Sequence, residues 1–165
     1  MSDEVKNIDE TQNEPKQTRR KSSVQQDDSS EKTSSIKLGI YKLNENVAIP
    51  EFATDDSACF DLIAHLNVGD QIKCKTISQQ DTRKVTDRGI ALHPGDRMLI
   101  PTGLILDIPK GYCLKVYTRS GISFKEGITL TNCTGVIDSD YINELFVSVI
   151  NVSSESKYIQ NGDVS

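Results

Sequence analysis

Long apolar runs are missing from this chain, and so are the residue pairs that mark several common kinds of site. It has 165 residues, of which 36% are hydrophobic, with four cysteines, two histidines and no tryptophan. No stretch is apolar enough to span a membrane, and the N-terminus lacks the apolar core of a signal peptide. We therefore expect an intracellular protein with no membrane partner, cytoplasmic with a nuclear location left open.

Cysteine and histidine are too widely spaced to form a recognisable site. Metal-binding and disulfide frameworks use paired, short spacings, and none occurs here. We predict neither a zinc site nor a disulfide, and we expect the cysteines to be small buried hydrophobic residues. The positions are Cys59, Cys74, Cys113, Cys133, His65 and His93.

A polar N-terminal segment explains much of the low hydrophobic fraction. Residues 1–35 contain eight acidic and six basic residues, a net charge of −2, and only four apolar side chains. This composition buries too little apolar surface to offset the entropy of ordering. We predict a disordered tail over residues 1–35 and one folded domain over residues 36–165. The domain keeps −3 of the total charge of −5, so we expect no nucleic-acid partner.

Short segments rich in β-forming residues, separated by turn residues, follow from Ile36 onward. No amphipathic helical period runs for three turns, so we predict an all-β domain: a sandwich, jelly roll or closed barrel. The polar stretch after Ile77, up to Arg88, is expected to be a surface loop. The predicted strands are Ile36–Ile40, Ala58–His65, Gln71–Ile77, Gly103–Ile108, Tyr112–Arg119, Ile128–Thr131 and Glu144–Asn151.

Two polar clusters follow predicted strands or turns and could bind ions. In the first, residues 53–62, Asp61 could support a cation, although a carboxylate that caps a turn is the more common outcome for such a residue. In the second, Arg119, Ser120 and Gly121 end an alternating strand. A guanidinium, a hydroxyl and an approachable glycine N–H form an anion clamp. A solvent-facing arginine at a strand end is the alternative.

The third cluster, residues 132–141, has the pattern of a β-hairpin with a polar tip. Gly135, Val136 and Ile137 precede an Asp-Ser-Asp turn. Backbone donors and acceptors at such a tip could read the edge of a base. Asp138 could act as a general base for water, or it could cap the turn.

These clusters, in this order and at these separations, resemble motifs one, two and three of the trimeric dUTPase family. The similarity runs from about Phe52 to Gly162, and the sequence Gly-Val-Ile-Asp-Ser-Asp-Tyr at residues 135–141 is its most specific part. The segments Pro-Thr-Gly-Leu at 101–104 and Pro-Lys-Gly-Tyr at 109–112 belong to the same pattern. The resemblance implies a β jelly roll that forms a homotrimer with active sites at the subunit interfaces.

The implied activity is hydrolysis of dUTP to dUMP and pyrophosphate, which keeps uracil out of DNA and supplies dUMP. By this resemblance Asp138 is the general base that activates the attacking water, and Tyr141 stacks on the deoxyribose. The implied uracil-binding residues are Asn132, Gly135, Val136 and Ile137.

The same resemblance assigns the phosphates to the second cluster. Arg119, Ser120 and Gly121 of a neighbouring subunit would hold them, and Mg²⁺ would chelate them. Asp61 would contact that ion only through water.

The sequence departs from the family pattern in several places. The segment between Leu62 and Pro94 is longer than usual, and Ile142-Asn143 replace an Arg-Gly pair. The rest of motif four, the C-terminal strand and the glycine-rich fifth motif are expected after Ser165 and are absent from the chain. Two alternatives therefore stay open: a non-catalytic dUTPase-like binding module, and a dCTP deaminase. The deaminase needs a glutamate base, whereas we expect Glu144 to be structural.

Overall fold

The computed structural model describes residues 36–76 and 78–163, and the predicted tail lies outside them. Within these ranges no helix has the length and apolar character needed to cross a membrane. A short π-helix, Ile122–Glu126, is followed by Gly127 in the left-handed conformation. The strands in chain order are β1 (Gly39–Lys42), β2 (Gln71–Lys75), β3 (Gln80–Lys84), β4 (Ile90–Leu92), β5 (Arg97–Pro101), β6 (Leu104–Asp107), β7 (Cys113–Val116), β8 (Ile128–Leu130), β9 (Gly135–Asp138), β10 (Phe146–Asn151) and β11 (Lys157–Ile159).

Antiparallel pairing joins these strands into four sheets. The largest has the order β3-β2-β5-β10-β8, and two-stranded sheets pair β1 with β6, β4 with β11 and β7 with β9. Most neighbours in the large sheet are distant in sequence, as they are in jelly rolls, where long connections cross between layers. The predicted all-β class is confirmed.

Apolar residues at every second position of the strands place the hydrophobic core on one face of the large sheet. Met98 and Ile100 of β5 are buried, and so are Val147 and Val149 of β10. Burial of each such side chain contributes roughly 1.5–3 kcal/mol. Other members of the same buried cluster come from β2, β4 and β6: Ile72, Cys74, Ile90, Leu92, Leu104 and Leu106.

An ion pair pins the edge strand β3 to the body of the sheet. The Arg83 Nη1 atom lies 2.6 Å from Asp96 Oδ2 and donates to the Ala91 carbonyl at 2.6 Å. Asp96 is buried, and its carboxylate also accepts the His93 N–H at 3.1 Å. Because a buried carboxylate needs such partners, the pair ties β3 to β4 and to the turn that precedes β5.

The prediction of a surface loop after Ile77 is wrong for the residues that form β3. Residues 80–84 form a strand that pairs with β2 along its whole length, from Gln71 opposite Lys84 to Lys75 opposite Gln80. All its side chains except Arg83 are exposed. An edge strand outside the core needs no apolar alternation, so hydropathy gave no signal.

Other predicted strands differ in extent or are replaced. Residues 58–65 form no strand, and Phe60 makes only an isolated bridge with Phe52. The backbone there bonds two separate segments, since the N–H of Ala64 donates to Asp163 and that of His65 to Pro101. The first strand lies at residues 39–42 instead of 36–40, and β4, β5 and β11 were not predicted. The predicted strands at 71–77, 103–108, 112–119, 128–131 and 144–151 form in shortened versions.

The cysteines depart from the prediction that all four are buried. Cys74 is buried on the inner face of β2, but Cys59, Cys113 and Cys133 are exposed, and all four are free thiols. Sequence alone cannot separate these cases, because each cysteine lies in a segment of mixed polarity.

We expect Ellman's reagent to titrate three thiols rapidly in the native chain and the fourth only in denaturant. Burial raises the pKa of the Cys74 thiol, so little reactive thiolate forms at neutral pH. A Cys74→Ala variant should keep the three fast thiols and lose the slow one. A fourth fast thiol in the native wild-type chain would contradict this burial.

Candidate active site

The candidate site is organised by the ribbon of β7 and β9. Cys113 pairs with Asp138 and Lys115 with Val136, in antiparallel register. The intervening residues Leu114 and Ile137 pack against the core. Because side chains alternate along a strand, Asp138 projects on the exposed face of the ribbon, directly across from Cys113.

The predicted hairpin at residues 132–141 is replaced by this pairing. The strand β9 does not fold back on a strand of its own cluster but joins β7, about twenty residues earlier in the chain. Gly135 suits this close pairing, because a Cβ there would lie 3.2 Å from Val116 Cβ, closer than most such contacts. Entry into β9 is a tight turn in which the Thr134 N–H donates to the Asn132 carbonyl at 2.5 Å and Cys133 adopts a φ of 59°.

Asp138 and Tyr141 are held together by a turn at the end of β9. The Tyr141 N–H donates to the Asp138 carbonyl at 3.1 Å. Both residues are exposed, Tyr141 with 37% of its surface accessible. A carboxylate and an aromatic residue therefore occupy the two ends of one turn, outside the core.

A second set of contacts ties this turn to residues 102–104. The Tyr141 hydroxyl donates to the Glu144 carbonyl at 2.7 Å, and the Glu144 carboxylate accepts the Gly103 N–H at 2.8 Å. Sequence analysis expected Glu144 to be structural, and its carboxylate does serve a backbone donor. This engagement removes the support for a deaminase with Glu144 as its base.

Arg119, Ser120 and Gly121 lie beyond β7, where the chain turns into the π-helix. The Arg119 Nη1 atom lies 3.6 Å from Asp61 Oδ2, so the first and second polar clusters meet. These side chains are 52% and 45% exposed, and an ion pair in that environment contributes little stability. Thr118 anchors the segment through its Oγ1 atom, which accepts the Leu130 N–H at 3.0 Å.

A groove of about 430 Å³ lies beside this ion pair and is lined mainly by apolar side chains. Asp61, Lys115 and Arg119 are its charged lining residues, while Asp138 and Tyr141 do not line it. The predicted cation residue and the arginine of the predicted phosphate clamp thus share this groove, whereas the predicted general base and the predicted deoxyribose-stacking residue lie together at the turn after β9.

The two regions are separated along β7 within one chain. Cys113, opposite Asp138, and Arg119 are 119 − 113 = 6 residues apart. At about 3.3 Å per extended residue, their backbones lie up to ~20 Å apart. Direct contacts join Asp61 with Arg119, and Asp138 with Tyr141, and no hydrogen bond or ion pair among the described residues joins the two pairs.

Metal binding by protein atoms alone has little support. Within residues 36–76 and 78–163, no group of three or more His, Cys, Asp or Glu side chains could enclose a metal ion. Asp61 offers one accessible carboxylate. That donor set suits an ion that keeps its water ligands and arrives with a phosphate, which is how Mg²⁺ commonly binds.

A family model and several known proteins match this chain. The dUTPase model matches residues 85–164. The deoxyuridine 5'-triphosphate nucleotidohydrolase of Treponema denticola is 40% identical over 122 residues, which are 74% of this chain and 71% of the relative. The enzyme of the same name from Finegoldia magna is 49% identical over 86 residues, which are 52% of this chain and 60% of the relative. The match thus spans less than two thirds of the Finegoldia protein.

Solved structures agree on the fold. The dUTPase of Streptococcus mutans superimposes with a TM-score of 0.56 at 23% identity, covering 77% of this chain and 89% of that one. A mutant dUTPase from phage phi11 of S. aureus, described with a structural Mg(II) ion, gives 0.53 at 24% identity, covering 71% and 61%. At these identities the likeness establishes a shared jelly-roll architecture.

Proposed function

Since this chain belongs to the dUTPase family, we propose that it hydrolyses dUTP to dUMP and pyrophosphate. The observation that carries the proposal is the turn that joins Asp138 to Tyr141. It carries a proton acceptor at one end and an aromatic ring at the other, and both residues are exposed. The reaction would withdraw dUTP from the nucleotide pool and supply dUMP.

Uracil recognition is supported by the free edge of β9. Among the described residues this strand pairs only with β7. The backbone N–H and C=O groups along its other edge can pair with a base edge as a further strand would. Asn132, exposed where the chain enters β9, adds an amide that both donates and accepts. The uracil-binding groups would thus be Asn132 and the backbone of Gly135, Val136 and Ile137.

Asp138 would act as the general base in this site. It takes a proton from the water that attacks the α-phosphorus, and the bond from that phosphorus to the bridging oxygen breaks as pyrophosphate leaves. The Tyr141 ring would pack on the deoxyribose, where a 2′-hydroxyl finds no room.

Arg119, Ser120 and Gly121 would hold the phosphates. The guanidinium neutralises charge that builds up on the phosphate oxygens, and the hydroxyl and backbone N–H groups donate to them. Gly121 supports this role because its φ of −63° suits any residue and an added Cβ would meet nothing within 4 Å. Neither the backbone nor the packing of this chain requires glycine there, whereas close approach of a ligand does.

Magnesium would enter with the triphosphate and contact Asp61 through water. When bound, it would neutralise phosphate charge and fix the conformation of the triphosphate. Asp61 would orient this water shell, and Arg119 would exchange its contact with Asp61 for one with a phosphate oxygen.

A complete site would need two copies of the chain. Asp138 lies across from the start of β7 and Arg119 lies beyond its end, so up to ~20 Å of backbone separates them in one chain, too far for both to contact one triphosphate. A closed ring with head-to-tail contacts solves this, because each copy can offer its Arg119 to the Asp138 of the next. We propose the homotrimer of the family as that ring.

We predict that Asp138→Asn slows dUTP turnover by ~10²–10⁴-fold, the usual effect of losing a general base, while dUTP binding persists. Pyrophosphate release measures turnover, and calorimetric titration with a non-hydrolysable dUTP analogue measures binding. Asp87→Asn, a similar change in an exposed turn, should have wild-type turnover. An Asp138→Asn rate within a factor of three of wild type would remove this residue from the mechanism.

We also predict that two inactive variants restore each other when mixed. Asp138→Asn and Arg119→Ala chains, unfolded together and refolded at equal amounts, should form sites with one intact half from each copy. Random assembly should return about a quarter of wild-type activity, because each of the two halves is intact with even odds. No recovery from mixed assemblies that form normally would mean that each chain carries a whole site.

A further inference from the structure

Glu144 links the two parts of the chain that meet behind Tyr141. Its carbonyl accepts the Tyr141 hydroxyl at 2.7 Å, and its carboxylate accepts the Gly103 N–H at 2.8 Å. The residue is half-buried, so its contacts are partly shielded from water. Glu144 thus stands between an exposed aromatic ring and a buried backbone segment.

The Gly103 end of this link is fixed by its surroundings. Gly103 has a φ of +69°, and an added Cβ would lie 2.5 Å from Val47 Cγ2, so this position requires glycine. Its carbonyl accepts the Leu43 N–H at 2.9 Å. The N–H that Glu144 binds is therefore a donor that cannot move to follow a misplaced carboxylate.

Neighbouring contacts hold the peptide unit between Glu144 and Leu145, which carries the carbonyl that binds Tyr141. The Thr102 hydroxyl donates to the Leu145 carbonyl at 2.7 Å, and the Leu145 N–H donates to the Leu104 carbonyl at 2.8 Å. These bonds hold the start of β10. Among the hydrogen bonds described between residues 144–145 and residues 102–104, only that of Glu144 uses a carboxylate. Such charge-assisted bonds are about twice as strong as neutral ones.

The segment between Tyr141 and Glu144 lies outside the core. Ile142 and Asn143 are both exposed, Ile142 with 77% of its surface accessible. The Tyr141 hydroxyl is held by the Glu144 carbonyl. That carbonyl is placed jointly by the Glu144 carboxylate on Gly103 and by the Leu145 N–H of the same planar peptide unit. Because the Tyr141 N–H also binds the Asp138 carbonyl, the same link extends to the end of β9.

We propose that Glu144 is a positioning residue that holds Tyr141 in the orientation that separates deoxyribose from ribose. This inference rests on the proposed dUTP hydrolysis. Glu144 touches neither substrate nor water in this scheme. It acts through the tyrosine, and the Pro-Thr-Gly-Leu segment at residues 101–104 supplies the fixed point that it binds.

The test compares Glu144→Ala with Glu144→Gln. The alanine variant loses the contact with Gly103, so its preference for dUTP over UTP, measured as the ratio of kcat/KM values, should fall ~10-fold. The fall should come from a lower kcat for dUTP, because small displacements at a reacting centre reduce the rate steeply. The glutamine variant keeps an oxygen that accepts the Gly103 N–H and should stay within about threefold of wild type. Wild-type discrimination in Glu144→Ala, or failure of glutamine to rescue, would overturn the proposal.

Tyr141→Phe tests the other half of the link without altering the carboxylate. It keeps the ring and loses only the bond to the Glu144 carbonyl, so it too should narrow the dUTP preference. In the double variant Glu144→Ala/Tyr141→Phe the two effects should be far from additive, because both break one link. Additive effects would show that the two residues act separately and would contradict the proposal. This arm also serves if Glu144→Ala folds poorly.

A readout without turnover separates this inference from the proposed function. With fluorotyrosine incorporated, the ¹⁹F resonance assigned to Tyr141 should shift in Glu144→Ala and stay near its wild-type position in Glu144→Gln. If wild type does not hydrolyse dUTP, the proposed function fails, and this measurement still reports whether Glu144 positions the ring. An unshifted resonance in Glu144→Ala would overturn the positioning role by itself.

Discussion

Pairing between β7 and β9 is the constraint on which the candidate site depends. In the observed register Leu114 and Ile137 face the core, and Asp138 faces outward. A slip by one residue would turn Asp138 toward apolar side chains and expose Ile137, because side chains alternate strictly along a strand. The apolar residues of the ribbon therefore fix the register, and the register makes the carboxylate accessible. Packing and chemistry are set here by the same few positions.

The sequence predicted those strands of the site that have an alternation of apolar and polar residues. The alternation in residues 112–119 predicted β7, and the residues at 135–138 were recognised as β-forming, since both strands bury one face. The partner of β9 could not be predicted, because a hairpin and a distant pairing have the same local pattern. The strand β3 was missed for a different reason. It is held by pairing with β2 and by the Arg83–Asp96 ion pair, and neither contact requires apolar residues to alternate in the sequence.

Long-range contacts account for what the sequence left unassigned. Residues 101–104 belonged to the family resemblance, but nothing local explained them. In the structure they receive Glu144 and Leu145 through hydrogen bonds that cross about forty residues of chain. The Asp61–Arg119 contact likewise joins two clusters that the sequence presented separately. Such contacts follow from the topology of the jelly roll, which brings distant segments to the same end of a sheet.

The three exposed cysteine thiols can be labelled without introducing any new cysteine. Cys113 lies across from Asp138, Cys133 follows Asn132, and Cys59 lies two residues before Asp61. Spin labels on these thiols would sample both halves of the candidate site without any introduced cysteine, while buried Cys74 would stay silent. Pulsed dipolar spectra of such a sample would contain distances within one chain and, in the proposed trimer, distances between neighbouring chains. The native cysteines of this chain would thus allow the geometry of the proposed trimer to be measured.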